Sequence, residues 1–388
     1  MTDPVYERRR MATVLMNEGV LKSPWLRAAV EVVPRERFLR PGVFLDEGRT
    51  WRPVTVADTD PDEWLKIAYS AGTLTTQLDG HLTADEAGGP VVGVPTSSST
   101  DPVTVVGMIE TLDLARGHRV LEIGTGTGYS TALMCHYLGE DNVATVEVDA
   151  QVAARADAAL EAAGFSTWTA PGDGLLGHPY RAPYDRVIAT CTVRRIPHTW
   201  IRQTRPGGIV LSTVGSWPWG TGLAKLTVGD DGTADGVIVG RSSFMQARAQ
   251  AMAPVAGDLS ARTAYADSER RTLVSPLVLE EWMPAFLAQL AVPGAQFVRA
   301  TGGDGSSPLR YLFDPEKESF AEFLTDGESW TVRQGGPVAL WDDVERSLVA
   351  WQDTGSPEID SVRLRVTPAS HLYWIEDAPS LCWEHRVA

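Results

Sequence analysis

Glycines and acidic residues recur in this sequence at points where strands give way to helices. Gly124, Gly126 and Gly128 follow the apolar stretch Val120–Ile123, which only Glu122 interrupts. Glycine tolerates the positive φ of a tight strand-to-helix turn and lets a ligand approach the backbone closely. The N–H groups at the start of the helix that follows can hold polar atoms of that ligand. The stretch therefore indicates a ligand-binding turn.

The spacing of the glycines bears on which ligand the turn binds. NAD enzymes use the related G-x-G-x-x-G turn, in which the glycines are further apart. Here the glycines alternate, and Glu122 precedes them, where methyltransferases that use S-adenosylmethionine (SAM) often carry an acid. A glycine turn that serves only packing is the alternative. We expect SAM as the cofactor, with Thr125 and Tyr129 of the same turn in its site.

Two more acidic residues follow the next strands of the pattern. Glu147 and then Val148 end a second strand, where a carboxylate can accept both ribose hydroxyls of the cofactor. Asp173 and Gly174 follow a third strand, where the carboxylate can meet the adenine amino group. An ordinary Asx turn is the alternative for Asp173. Thr190, at the end of a fourth strand, completes the predicted cofactor site.

The elements that must position these residues alternate between strands and helices over residues 94–250. This alternation predicts an α/β fold with a doubly wound, mostly parallel sheet, preceded by N-terminal helices in residues 1–40. Residues 41–93 are polar and irregular, which suits either a surface insertion or a lid. Residues 255–388 lose the alternation and predict a separate α+β domain, with a helix over 276–290. The tryptophans of that domain form either a core or a peptide-recognition surface.

Composition narrows the choice of partners. The formal net charge of −16 would repel phosphate backbones, so we expect no nucleic-acid partner. No apolar run approaches the roughly 18 residues of a membrane span, and the N-terminal residues lack a signal-peptide core. The three cysteines show neither metal-ligand spacing nor a disulfide framework. We therefore expect a cytoplasmic protein without a metal site or membrane partner, in an oligomeric state that the sequence leaves open.

Several motifs together resemble the protein-L-isoaspartate O-methyltransferases over residues 11–248. The matching segments are residues 33–38, 120–129, 172–174, 182–188 and 206–208. The resemblance implies a Rossmann-like, SAM-dependent methyltransferase fold. It also implies an enzyme that methylates an aspartate-derived carboxylate in a peptide.

The family carries a glutamine-threonine-x-serine-x-proline segment, whose counterpart here is residues 96–102. Thr100 takes the position of the serine, and Asp101 replaces a neutral residue. The resemblance implies that the Thr100 hydroxyl, with those of Ser98 and Ser99, orients the reacting carboxylate. Because a carboxylate is already ionised at neutral pH, the reaction needs no strong general base.

Arg194 and Arg195 are candidates to hold the second oxygen of that carboxylate, although surface arginines are common. Residues 41–93 and 255–388 lie outside the pattern of the repair enzymes. The layout resembles a branch of the family found with ribosomally made, modified peptides, namely lanthipeptides, lasso peptides and graspetides. That resemblance implies methylation of an L-aspartate in a pre-cyclised precursor peptide. Attack of the next backbone nitrogen on the ester then releases methanol and gives an aspartimide, which hydrolyses to isoaspartate.

Two alternative functions stay open at this point. One is repair methylation of L-isoaspartyl residues in damaged proteins, for which a generic isoaspartyl peptide would be a substrate. The other is a SAM-binding peptide chaperone without turnover. The intact glycine turn and both Glu147 and Asp173 argue for cofactor binding in every case.

Overall fold

The computed structural model describes residues 3–255, 257–300 and 309–387. The chain forms two compact units, and each is built from several chain segments. The first unit comprises Met1–Cys191, Pro197–Ser212 and Thr227–Gly232. The second comprises Thr192–Ile196, Thr213–Leu226 and Thr233–Ala388. The second unit therefore begins earlier in the chain than the predicted boundary near residue 255.

The first unit carries seven helices and nine strands in its described residues. Helices α1 to α7 are Pro4–Asn17, Pro24–Val32, Pro61–Ala68, Pro102–Thr111, Tyr129–Leu138, Ala150–Ala162 and His198–Gln203. Strands β1 to β9 are Gly42–Asp46, Trp51–Thr55, Leu74–Leu78, Pro95–Ser99, Val120–Ile123, Val143–Glu147, Trp168–Pro171, Tyr184–Val193 and Thr204–Val214. The last residues of β8 and β9 belong to the second unit.

The larger sheet of the first unit has the strand order β9-β8-β5-β6-β7. Strand β5 pairs in parallel with β6 and β8, and β6 pairs in parallel with β7. The direction of strand addition reverses at β5, and parallel strands bring their carboxyl ends to one edge. The predicted α/β fold with a mostly parallel sheet is confirmed.

Side-chain caps begin the helices that border this edge. The Asp101 carboxylate accepts a hydrogen bond from Thr104 N at 2.8 Å, and Pro102 occupies the first turn of α4. At the start of α6, Asp149 Oδ1 accepts from the backbone N–H groups of Gln151 and Val152. Each cap satisfies N–H groups that a helix start leaves without a partner.

Residues 41–93 are folded, which corrects the expectation of an irregular segment. Strands β1 to β4 form an antiparallel sheet in the order β2-β1-β3-β4. Phe44, Leu78 and Ala84 make a small core on this sheet. The polar clusters that suggested a loop occupy turns and caps: Asp60, for example, accepts from two N–H groups at the start of α3. A small apolar core is therefore enough to hold this part of the chain in a folded sheet.

The second unit carries three further helices and ten strands in its described residues. Helices α8 to α10 are Leu259–Arg262, Trp282–Ala291 and Leu340–Asp353. Strands β10 to β19 are Gly222–Val228, Ala234–Arg241, Ser268–Arg271, Gln296–Ala300, Leu309–Asp314, Ser319–Thr325, Trp330–Gly335, Val362–Val366, Ser370–Ile375 and Ala378–Arg386.

Antiparallel pairing dominates the second unit, as an α+β fold requires. One sheet has the order β12-β16-β15-β14-β13, and β19-β18-β17-β11-β10 is a run of neighbouring strands within a ten-stranded sheet. The predicted helix over 276–290 is wrong in its extent, because Pro276–Glu280 forms a 3₁₀ turn and α9 starts at Trp282. The hairpin β10–β11 continues into this antiparallel arrangement, since β11 pairs with β17.

Within the described ranges, the helices lack the length and apolar character that a membrane crossing needs. The same residues contain no group of three or more histidine, cysteine, aspartate or glutamate side chains that could hold a metal ion.

Candidate functional site

The turn after β5 is crowded at its first two glycines. Gly124 has φ +92°, and a Cβ there would lie 2.8 Å from Thr190 Oγ1. A Cβ at Gly126 would lie 3.3 Å from the carbonyl oxygen of Ser98, at the end of β4. Thr190 donates from Oγ1 to the carbonyl oxygens at the start of the turn. The structure thus brings the turn, Thr190 and Ser98 together.

Glu147 holds the glycine turn from the end of β6. Its Oε2 accepts a hydrogen bond from Gly126 N at 3.0 Å, and its Oε1 accepts from Asp149 N at 3.1 Å. The side chain is 9% exposed, and the neighbouring Val148 is 47% exposed. A carboxylate oxygen can accept more than one hydrogen bond, so both oxygens of Glu147 keep the capacity to accept from a ligand.

Asp173 makes the Asx turn that the sequence offered as an alternative. Its Oδ1 accepts from Leu175 N at 2.9 Å, while the exposed side chain leaves Oδ2 without a partner among the described residues. Gly174 packs on β5, because a Cβ there would lie 2.5 Å from Ile123 Cγ2. The turn is therefore fixed against the sheet edge with one acceptor oxygen open.

Glu122 and Thr125 lie beneath the turn rather than on its surface. Glu122 is fully buried, and its carboxylate accepts from the hydroxyls of Ser130, Thr131 and Thr145. Burial raises the pKa of Glu122 to about 7, against the opposing effect of those hydroxyls. Thr125 is also buried and shares a hydrogen bond with Thr145. Direct contact of Glu122 or Thr125 with a cofactor stays a prediction, and their visible role is to support the turn.

Arg35 is a site residue that the sequence analysis missed. It is fully buried, donates from Nη1 to Ala68 O at 2.6 Å, and donates from Nη2 to Ser99 Oγ and Thr100 O at 3.4 Å each. Its guanidinium lies 6.0 Å from the centre of the Tyr129 ring. Burial lowers the pKa of Arg35. Arg35 therefore fixes the end of β4, and its place in the matching segment 33–38 was the available signal.

Tyr129, the first residue of α5, is buried, and its hydroxyl forms no hydrogen bond with the part of the chain that the structure describes. Arg35 Nε is the second buried polar atom here without a partner. Burial is also the main influence on Cys191, next to Thr190, and it raises the pKa of that thiol to about 12. The thiol therefore stays protonated at neutral pH and is no candidate nucleophile.

The hydroxyls at the end of β4 alternate between two sides of the chain. Ser97 Oγ accepts from a β3 threonine at 3.1 Å, and Ser99 Oγ accepts from Arg35. Ser98 and Thr100 are half-buried, and none of the described residues forms a hydrogen bond with either hydroxyl. The structure thus groups two of the three predicted hydroxyls and turns Ser99 to the other side.

Arg194 and Arg195 belong to the second unit, where both line a cavity. Their part in holding the reacting carboxylate stays a prediction. Asp101, which replaces a neutral residue of the family segment, caps the start of α4. The capping hydrogen bond explains why an acidic residue is present at this position.

The observed site fits SAM. The turn at Gly124 and Gly126 packs closely against Thr190 and Ser98, and Glu147 presents acceptor oxygens at the end of the next strand. Val148 adds an exposed apolar surface beside them, and Asp173 adds an open carboxylate oxygen. An anionic group that accepts from Ser98 and Thr100 would lie next to this turn.

Known proteins agree with this arrangement. Residues 88–233 match the family model "Protein-L-isoaspartate(D-aspartate) O-methyltransferase (PCMT)". The protein-L-isoaspartate O-methyltransferase of Ignicoccus hospitalis is 31% identical over 222 residues, which are 57% of this chain and 87% of that protein. That of Methanothermobacter thermautotrophicus is 34% identical over 213 residues, 54% of this chain and 80% of the relative.

A solved structure titled protein-L-isoaspartate O-methyltransferase shares the fold, with a TM-score of 0.53 and 22% identity. The match covers 98% of this chain and 99% of the other, so it includes both units. The expectation that residues 41–93 and 255–388 have no counterpart in proteins of this title is therefore wrong at the level of the fold. The chain belongs to the protein-L-isoaspartate O-methyltransferase family, and it is a SAM-dependent protein carboxyl O-methyltransferase.

Proposed function

We propose that this enzyme methylates the free carboxylate of L-isoaspartyl residues in peptides. The observation that carries the proposal is the pair of half-buried hydroxyls, Ser98 and Thr100, beside a glycine turn that is crowded at its first two glycines. The names of the family relatives support the choice of L-isoaspartate.

In this proposal SAM supplies a methyl group that is activated by a positively charged sulfur. Ser98 and Thr100 donate hydrogen bonds to the substrate carboxylate and orient one oxygen towards the turn. Arg35 keeps the chain at Ser99 and Thr100 in place from the buried side. No residue has to remove a proton, since the carboxylate is already ionised at neutral pH. Positioning of this kind contributes about 7–11 kcal/mol in favourable reactions.

The residues that we propose for SAM binding lie at, or just after, the ends of neighbouring parallel strands. We assign the methionine part to the turn at Gly124–Gly128, the ribose to Glu147 and the adenine to Val148 and Asp173. The support is the order of these groups along the carboxyl ends of β5, β6 and β7. Gly174 and Thr190 shape the same edge.

A second candidate function is methylation of an ordinary L-aspartate in a pre-cyclised, ribosomally made peptide, leading to aspartimide or isoaspartate. Thr100 favours it, because its methyl group narrows a position where the family carries serine. A SAM-binding peptide chaperone without turnover would keep the cofactor contacts and show no methyl transfer. A cytoplasmic location and the absence of nucleic-acid partners remain predictions from composition.

The deciding experiment compares three peptides of one sequence: with L-isoaspartate, with L-aspartate, and with L-aspartate after cyclisation. Full-length protein and SAM are incubated with each, and mass spectrometry follows the gain of one methyl group. We expect the isoaspartyl peptide to react fastest. Fastest reaction of the cyclised aspartyl peptide would replace the proposal with the second candidate. Absence of methylation, with SAM binding intact by calorimetry, would favour the chaperone.

A further inference from the structure

A cavity of about 120 Å³ lies entirely within the second unit. Its wall includes the cationic side chains Arg194, Arg195 and Lys317, and the acidic side chains Asp314 and Glu316. Cationic side chains outnumber acidic ones in this wall, whereas the whole chain has 34 basic and 50 acidic residues. Nothing in the proposed chemistry of the first unit uses this cavity.

The backbone of the arginine pair is fixed by one side chain. Gln250 Oε1 accepts from Arg194 N at 2.7 Å and from Arg195 N at 2.9 Å. Gln250 Nε2 donates back to Arg195 O at 2.8 Å. The preceding Thr192 exchanges backbone hydrogen bonds with Met245 and Ala247. The segment that carries the two arginines is therefore preorganised.

The guanidinium groups, in contrast, are left open. Both side chains are half-buried, and neither forms a hydrogen bond or an ion pair with any residue in the described part of the chain. Burial lowers the pKa of Arg194, and Glu316 and Asp314 act in the opposite direction from beyond ion-pair distance. Arg195, on the same segment, also lowers it. Burial of a charge without a partner costs free energy that a bound anion can offset.

Other partly buried arginines of the second unit have carboxylate partners. Arg270 pairs with Asp342 and Glu345, Arg310 with Glu280, and Arg333 with Glu322. The arginine pair at the cavity departs from this pattern.

One of the two acids in the cavity wall, Asp314, is engaged by neighbouring residues. Asp314 Oδ1 accepts from the backbone N–H groups of Glu316 and Lys317, and its other oxygen lies 3.9 Å from Lys317 Nζ. Gly294 leaves room for the Asp314 carboxylate, because a Cβ at Gly294 would lie 2.5 Å from Asp314 Oδ2. His385 adds little charge, since burial lowers its pKa despite the opposing effect of the 2.8 Å contact between its Nε2 and Leu290 O.

We propose that Arg194 and Arg195 bind a carboxylate of the peptide substrate that is not the one methylated. This inference rests on the proposed peptide methylation and names an acidic segment of the substrate as the ligand. Arginine suits the task, because its planar group matches a carboxylate with two parallel hydrogen bonds.

Charge explains why the reacting carboxylate is the poorer ligand for this pair. Methyl transfer to a carboxylate consumes its negative charge, so the anion is more strongly charged in the ground state than in the transition state. Two arginines would therefore stabilise the substrate more than the transition state and slow the reaction. Neutral hydroxyls, such as those of Ser98 and Thr100, suit the reacting group better. A spectator carboxylate keeps its charge throughout.

The test uses two isoaspartyl peptides of one length, flanked by glutamates in one and by glutamines in the other. For the wild type we expect the KM of the glutamate peptide to be lower by about tenfold, or 1.4 kcal/mol. The double variant Arg194→Gln/Arg195→Gln should lose this preference, and the Arg→Lys pair should restore part of it. Arg299→Gln is the matched control, because Arg299 is exposed, in the same unit and outside the cavity.

Equal KM values for the two peptides in the wild type would overturn the inference. So would a double variant that lowers kcat on both peptides and leaves KM unchanged, since the arginines would then serve the reacting carboxylate. Calorimetry with an acetylated, amidated triglutamate peptide separates this inference from the proposed function. If triglutamate binds through the arginines but no isoaspartyl peptide is methylated, the proposed function is wrong and the anion site is supported. If an isoaspartyl peptide is methylated but triglutamate does not bind, the proposed function is supported and the anion site is wrong.

Discussion

The glycine turn of the first unit and the cavity of the second differ in what surrounds their charged side chains. In the first, Glu122 and Arg35 are fully buried, and neutral hydroxyl and carbonyl groups of the protein surround them. In the second, Arg194 and Arg195 have a fixed backbone, and their side chains have no hydrogen-bond or ion-pair partner among the described residues. A charged side chain whose hydrogen-bond partners all belong to the protein supports the structure around a site. A charged side chain whose backbone is fixed, but whose charged group has no protein partner, is available to bind a ligand.

The largest effect should come from Glu122, the buried acid beneath the turn. Its pKa is about 7 in the folded chain, compared with an ordinary value of 4.5. The folded state therefore binds a proton more tightly than the unfolded state. The stability from this group is complete below pH 4.5 and declines as the pH rises to about 7, by roughly 3 kcal/mol. Glu122→Gln should remove this pH dependence.

The measurement is the thermal midpoint of both proteins between pH 4.5 and 8, by circular dichroism. The wild type should lose stability relative to Glu122→Gln as the pH rises, with SAM affinity of the variant retained. A difference between the two proteins that does not change with pH would show that Glu122 is not a protonated structural acid.

The next effect concerns Glu147, whose carboxylate accepts two backbone hydrogen bonds and can still accept others from a ligand. Glu147→Ala should cost about 1.5–3 kcal/mol of SAM affinity, as expected for lost hydrogen bonds to a charged group. The loss combines ligand contacts with the bond to Gly126 N that holds the turn. Calorimetry measures it, and unchanged SAM affinity would remove Glu147 from the cofactor site. Glu147→Gln keeps the shape and should lose less.

A pair of glycine substitutions separates backbone strain from crowding at the turn. Gly124 and Gly117 have φ of +92° and +85°, but only Gly124 has a neighbour within 4 Å of a built Cβ. Alanine therefore meets the same backbone penalty at both positions. Gly124→Ala should cost about 2 kcal/mol more in SAM binding than Gly117→Ala, as overpacking does. Equal affinities would mean that Thr190 yields to the added methyl group.

The smallest effect is expected at the hydroxyls of β4. Thr100→Val should keep the fold and SAM affinity and lower the methylation rate by about tenfold, or 1.4 kcal/mol. Ser99→Ala is the matched change on the opposite side and should alter the rate by less than about threefold. Steady-state rates on the isoaspartyl peptide check both. A larger loss in Ser99→Ala than in Thr100→Val would reverse the assignment of the two sides.

The sequence predicted the parallel sheet and its turn well, because both arise from local patterns. Val120–Ile123 is apolar apart from Glu122, and three glycines follow it at alternate positions. Glu147 ends β6, and Asp173 follows the end of β7. Each of these signals lies within a few residues of the element that it predicts.

Contacts between distant residues escaped prediction. Arg35 and Ser99 are 64 residues apart, and only the fold reveals that they meet. Strands β14 to β16 were missed because polar residues break their apolar pattern, as in Trp330–Gly335. The fold also separates Ser98 from Ser99 by face, which the run of hydroxyls in the sequence does not indicate.

The interleaving of the two units along the chain has a consequence for biosynthesis. A ribosome releases Thr192–Ile196 and Thr213–Leu226 of the second unit before Thr227–Gly232, the last segment of the first. Strand β11 cannot pair with β17 until Val362–Val366 has been synthesised. The first unit is therefore completed only after two segments of the second have emerged, and the second is completed only after the first. A graft of the second unit onto a relative would likewise need three segments exchanged together, and no single truncation point would release it intact.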